Sequence, residues 1–153
     1  MKKKKHAGFS MVEIIIVIAI MVILAAALAP MLIKYIRKAR RSQDVDVANE
    51  IQAAYMRAAV EMEHKDNTLT SYGSGTTLIR YDTILNTPAQ TIEDYVFNEL
   101  GGIPESSTFS DYYWEIEYLP DSGRVTNITL TPGQGSNVSY ELFPDSDAFL
   151  EGK

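Results

Sequence analysis

From Ile14 to Ile33 the chain reads IIIVIAIMVILAAALAPMLI, twenty residues without a charge. Coiled as an α-helix, such a run spans about 30 Å, the thickness of a bilayer's hydrocarbon core. Nothing else in the sequence restricts the fold so tightly. Two residues stand out against it. Glu13 places a carboxylate at its leading edge, and Pro30 interrupts it near its end. A charge at mid-helix in a membrane costs about 2.5–3.5 kcal/mol, and less near the edge, so Glu13 wants a partner. Pro30 lacks an N–H and crowds the carbonyl of Ala26, which predicts a kink or local loosening over 26–30. A passive kink is the plain alternative, because membrane helices tolerate proline.

Charge is split along the chain. Lys2 to Lys5 precede the apolar run, and Lys34, Arg37, Lys38, Arg40 and Arg41 follow it. From Ser42 to Lys153 there are 5 Lys and Arg against 19 Asp and Glu, a formal charge of −14. So acidic a body is unsuited to sequence-independent nucleic-acid binding, which needs a basic footprint. The chain has no cysteine, so disulfides, thiolate metal sites and a thiol nucleophile are excluded. Its two histidines, His6 and His64, are far apart in sequence, which argues against a His-rich metal site or a Ser-His-Asp triad. No enzymatic constellation emerges: Glu115 and Glu117 share a strand face without a His or Lys. The chain therefore reads as a non-enzyme without a cofactor.

A basic leader before an apolar run also describes a secretory signal peptide, with Ala25, Ala26, Ala27 and Ala29 imitating a cleavage site. The run is longer than the usual h-region of about 7–15 residues. A plain single-pass anchor explains the length and leaves Glu13 unexplained.

The segment K-K-K-K-H-A-G-F-S-M-V-E and the apolar run behind it resemble the N-terminus of type IV pilins and their pseudopilin relatives. The resemblance rests on the basic leader ending in Gly8, the aromatic Phe9, Glu13 four residues later, and Pro30. Ser10 and Met11 depart mildly from the usual G-F-T-L-[IV]-E. It covers about a quarter of the chain, Lys2 to Arg41. It implies that a prepilin peptidase cuts after Gly8 on the cytoplasmic side and methylates the new amino group of Phe9. It implies that Glu13 neutralises the Phe9 amine of a neighbouring subunit; snorkelling of Glu13 to the headgroups is the plainer reading. Family filaments are also expected to lose helix around a proline in the position of Pro30. Both flanks of the span are basic, so the positive-inside rule does not orient it. The resemblance does: leader inside, acidic domain outside, then an extracellular filament on the cell surface. The implied partners are other copies of the chain, the peptidase, a membrane platform and a cytoplasmic ATPase. The disulfide common in Gram-negative pilins is missing, which leans toward a Gram-positive pilin or a pseudopilin.

Beyond the apolar run, Lys34 to His64 contains no Gly or Pro. Ile36, Ala39, Gln43, Val47, Ile51, Ala54, Tyr55, Ala58 and Met62 recur at three- and four-residue steps, an amphipathic stripe fit to cover a sheet. The five bases of 34–41 suit an interfacial anchor, and equally a contact with acidic surfaces of neighbouring subunits. One helix is thus expected from Phe9 to about Lys65, ended by Asp66-Asn67 and the Thr/Ser/Gly-rich 68–77. Thr77 to Leu85 reads as a short strand or an irregular segment. Thr87 and Pro88 look like a helix start, with Gly101-Gly102 as its stop. Tyr112 to Leu119 alternates as a strand. Arg124 to Thr131 is its partner, with Val125 out of phase unless a bulge intervenes. Asn137 to Phe143 is a third strand, with Val138, Tyr140 and Leu142 in step, and Pro144 to Lys153 an acidic tail.

The expected architecture is α+β, a pilin fold: leader 1–8, apolar half-helix 9–33, amphipathic half-helix 34–65, and a head over 66–153. The head holds a helix over 88–100 and at least three antiparallel strands within 112–143. Asp121, Asp145 and Asp147 are weak calcium candidates, since loop carboxylates suit that ion, but they match no loop motif. Asn127-Ile128-Thr129 and Asn137-Val138-Ser139 fit the glycosylation pattern and read more simply as sheet residues. The function expected is a filament subunit. The alternatives are a pseudopilin of a type II secretion or DNA-uptake machine, and a tethered binding domain that never polymerises.

Overall fold

A single helix, α1, runs from Met11 to Asp66, 56 residues. It is followed by β1 (Thr76–Ile79), α2 (Ile92–Leu100), β2 (Tyr112–Leu119), β3 (Arg124–Pro132), β4 (Tyr140–Phe143) and a short α3 (Asp147–Glu151). These assignments come from a computed structural model that describes residues 9–66, 76–79, 92–119, 122–133 and 138–152. The chain divides into two units, residues 1–37 and 38–153. In the first, α1 passes through Pro30 as unbroken helix, so the loosening expected over 26–30 does not interrupt it.

The second unit holds the core. Strands β1 to β4 form one antiparallel sheet in sequence order, a four-stranded meander. Alternation along β2 sends Trp114, Ile116 and Tyr118 to one face, where all three are buried. They meet Ile51, Ala54, Tyr55, Ala58, Ala59 and Met62 of α1 in a single apolar cluster, with Ile128 and Leu130 of β3 and Leu142 of β4. A sheet of this size needs one covered face, and the outer half of the helix covers it. The alanines keep the helix surface thin enough for close approach.

Val125 comes into phase through a bulge. Glu117 pairs with Asn127, but the next residue, Tyr118, pairs with Val125, leaving Thr126 as the extra residue. The Thr126 hydroxyl donates to the Glu117 carbonyl at 3.1 Å, and Val125 is buried. The turn that joins β2 to β3 ends at Gly123, at φ +60, whose N–H donates to the Leu119 carbonyl at 2.8 Å. A Cβ there would collide with the Ala59 methyl and lie 3.1 Å from the Tyr55 carbonyl oxygen, so only glycine lets this turn sit on α1.

α2 ends as the paired glycines predict. Gly101 and Gly102 both have positive φ, and the Gly102 N–H donates to the Phe97 carbonyl at 3.1 Å, closing a Schellman-type cap. The expected start at Thr87 and Pro88 lies outside the described residues, as does the stretch from 80 to Leu85. An ion pair between Arg57 and Glu99 links α1 to α2.

Three expectations are corrected. The stripe on α1 holds from Val47, half-buried against the core, through the buried Ile51, Ala54, Tyr55, Ala58 and Met62, but Ile36, Ala39 and Gln43 are exposed and the buried face begins at Asp44 and Ala48. Packing against the sheet and the 103–109 loop selects the face, and it tolerates a carboxylate at Asp44 because that group is fully used. The last strand begins at Tyr140, and Val138 is exposed. The acidic tail is in part the helix α3, held by the buried Phe149. Phe149 joins Phe109, Tyr112 and Tyr140, whose rings stack at 4.5 Å (Phe109–Tyr112) and 4.9 Å (Phe109–Tyr140).

Two buried polar groups matter to the energetics. Asp44, 1% exposed, accepts the Ser107 N–H at 2.6 Å, the Thr108 N–H at 3.1 Å and the Ser106 hydroxyl at 3.0 Å. Tyr55 packs beside Tyr118 at 5.2 Å, and its hydroxyl has no hydrogen-bond partner among the described residues. Burial pushes the Tyr55 phenol far above its ordinary range, and the Glu93 carboxylate and Tyr118 nearby push the same way.

Candidate functional site

The start of α1 is built by four residues. Ser10 is the residue from which the helix begins, and its carbonyl accepts the Ile14 N–H at 3.3 Å. Its hydroxyl accepts the Val12 N–H at 3.4 Å. In return, the Ser10 N–H donates to Glu13 Oε2 at 2.8 Å. Ser10-Met11-Val12-Glu13 is therefore a capping box, in which two otherwise unpaired amides at the helix start find side-chain oxygens. The S-x-x-E spacing ahead of an apolar run is the sequence signal for it, independent of the counter-charge expected at Glu13. The carboxylate also sits where the helix dipole favours a negative group.

Phe9 stands just outside this cap, 85% exposed. Behind it, every large apolar side chain from Met11 to Ile36 is exposed, Ile36 the least at 45%. Among the described residues of the first unit, nothing covers them. A contiguous apolar surface of this extent calls for lipid or for another protein surface. α1 is, among the described residues, the one helix long and apolar enough to cross a membrane.

The cap, the exposed aromatic and the charge-free run from Ile14 to Ile33 converge on one family signature. The chain carries the prokaryotic N-terminal methylation motif, matched over residues 3–29. That motif is the signature of type IV prepilins and pseudopilins. No curated protein and no solved structure matches the chain. The match spans Gly8, Phe9 and Glu13 and ends one residue before Pro30. It supports a prepilin-like precursor, anchored by its apolar helix, that is processed by a prepilin peptidase. Gly8 itself lies outside the described residues.

The structure brings Phe9, Ser10 and Glu13 together at one helix end and leaves Pro30 inside the helix. Of the three aspartates considered for calcium, Asp145 Oδ1 accepts the Asp147 N–H at 3.0 Å at the start of α3, and Asp121 lies outside the described residues. Among the described residues no group of three His, Cys, Asp or Glu side chains is placed to hold a metal ion. Of the two glycosylation-like triplets, Asn127 and Thr129 lie within β3, and Asn137 lies outside the described residues.

Proposed function

We propose that this chain is a structural subunit of a type IV pilus-like filament, cut after Gly8, methylated on Phe9 and polymerised through α1. The observation that carries the reading is the methylation motif over 3–29 on a helix whose large apolar side chains from Met11 to Ile36 are all exposed. One apolar surface serves twice. In the bilayer it is solvated by acyl chains, and in the polymer it is buried against copies of itself. Such contacts are head-to-tail and do not close, so they generate a helical array. Glu13 compensates the Phe9 amine of a neighbour, which offsets the cost of a carboxylate in an apolar layer. The leader faces the cytoplasm and the acidic domain faces out. Extraction from lipid needs work supplied from outside the chain, and a membrane platform with an ATPase provides it.

Intact mass spectrometry of protein sheared from the cell surface tests this. The expected species begins at Phe9 and is one methyl group heavier than the sequence. Membrane-bound protein that retains Met1 to Gly8, with nothing in the sheared fraction, would overturn it.

A further inference from the structure

We propose that the groove between α1 and the segment after α2 receives the basic stretch Lys34–Arg40 of a second copy of this chain. The inference rests on the filament reading and names a contact within it.

The groove has a volume of about 430 Å³. One wall is α1 at Val47, Glu50 and Ile51, and the other is the segment from Leu100 to Glu105. The apolar surface of its floor is that of the half-buried Val47 and Leu100, with Ile51 and Ile103 buried beneath. Glu50 and Glu105 stand at its rims, both exposed and neither in an ion pair among the described residues. No lining residue is basic.

The complementary surface is on the same chain. Lys34, Arg37, Lys38 and Arg40 are exposed and have no ion-pair partner among the described residues. Tyr35 and Ile36 lie among them, 58% and 45% exposed. A stretch that alternates bases with apolar groups fits an apolar floor between carboxylates. Lysine and arginine stems lie along the apolar edges while their charged heads reach the rims. A chain cannot fill its own groove this way. Lys38 precedes Glu50 by twelve residues on one continuous helix, roughly 18 Å along its axis. The occupant is therefore a copy staggered along that axis, and stagger of this kind propagates an open array. The neighbour whose Phe9 amine reaches Glu13 is offset by only about four residues, roughly 6 Å, so the groove contact belongs to a different neighbour.

The chain has no cysteine, which makes disulfide trapping unambiguous. Glu105→Cys is combined in turn with Lys34→Cys, Arg37→Cys and Lys38→Cys in the full chain, and sheared filaments are oxidised. The expected result is a ladder of linked subunits for at least one pair and none for any single variant. Filaments without a ladder for all three pairs would overturn the groove contact and leave the filament reading intact. A cross-link to a chain of another sequence would overturn it too. Absence of sheared polymer from the unaltered chain would overturn the filament reading itself. Should the cysteine pairs not assemble, charge reversal decides. Glu50→Lys with Glu105→Lys, and separately Arg37→Glu with Lys38→Glu, should each cut filament yield about tenfold, and the four changes together should restore it. Normal yield in either pair, or no restoration in the combination, counts against the contact.

Discussion

Asp44 and Ser107 are 63 positions apart in sequence, and the Ser107 N–H donates to Asp44 Oδ1 at 2.6 Å. Around this bond the Asp44 carboxylate also holds Thr108 and Ser106, and the Ser106 hydroxyl in turn accepts the Thr108 and Phe109 amides at 3.2 and 3.1 Å. One buried side chain of α1 thus fixes the backbone of the loop that leads into β2. Removing it leaves several donors unpaired in a poorly hydrated place, so Asp44→Ala is expected to cost roughly 2–4 kcal/mol. Asp44→Asn, which keeps one acceptor oxygen, should fall between. Trp114 is the chain's one tryptophan, and its indole N–H donates to the Pro104 carbonyl at 2.9 Å in the same loop. Its fluorescence during denaturation of the detergent-solubilised chain reads the loss directly.

Tyr55 predicts an alkaline limit. The folded state holds its phenol neutral far above the ordinary range through burial first, then the neighbouring Glu93 charge and Tyr118. The unfolded chain releases the same proton near pH 10. Above that pH the unfolded state binds fewer protons, so stability is fully present below about pH 10 and falls as pH rises, by about 1.4 kcal/mol per unit for this one group. Tyr55→Phe should flatten the slope by that amount. At neutral pH it should change stability by less than about 1 kcal/mol, because the lost hydroxyl has no partner. Denaturation curves of both proteins between pH 8 and 11 make the comparison, and parallel slopes would count against it.

The two glycine-dependent joints make a contrast. At Gly101 a side chain meets open space, whereas at Gly123 it meets the Ala59 methyl and the Tyr55 carbonyl. Both have positive φ. Gly101→Ala should cost about 1 kcal/mol, the left-handed backbone alone. Gly123→Ala adds overpacking of about 1–3 kcal/mol, for a total of roughly 2–4. Equal losses in the two variants would mean that the β2–β3 turn does not rest on α1.

How far such relationships could be read in advance depends on the range of the interactions behind them. β2 was legible because Trp114, Ile116 and Tyr118 alternate with polar neighbours, a signal carried by period alone. The bulge at Thr126 was legible as a phase error at Val125. The glycine stop after α2 was legible because αL backbone needs a residue without Cβ. Asp44 was not, because a carboxylate in a helical stripe reads as solvent-facing, and its partners lie more than sixty residues away. At Gln43 the predicted stripe is therefore one position off, whereas from Val47 to Met62 it follows the face that packs on the core. α3 was hidden for another reason: five residues carry too little periodicity, and the buried Phe149 sits among acids. At the helix start, S-x-x-E spells the cap in local sequence alone, a signal separate from the charge of Glu13.

That geometry separates two roles of Glu13. As the acceptor for the Ser10 N–H it needs only an oxygen, and a glutamine amide supplies one in the same capping box. As the counter-charge to a neighbour's Phe9 amine it needs the negative charge. Glu13→Gln is therefore expected to insert into the membrane, keep the start of α1 and fail to appear in the sheared fraction, as Glu13→Ala should. Ser10→Ala weakens the cap by about 1 kcal/mol in a helix held by the bilayer and should still assemble. Immunoblots of sheared and membrane fractions compare the three. Normal filament yield from Glu13→Gln would show that capping accounts for the residue and that the amine of the neighbouring copy is neutralised elsewhere.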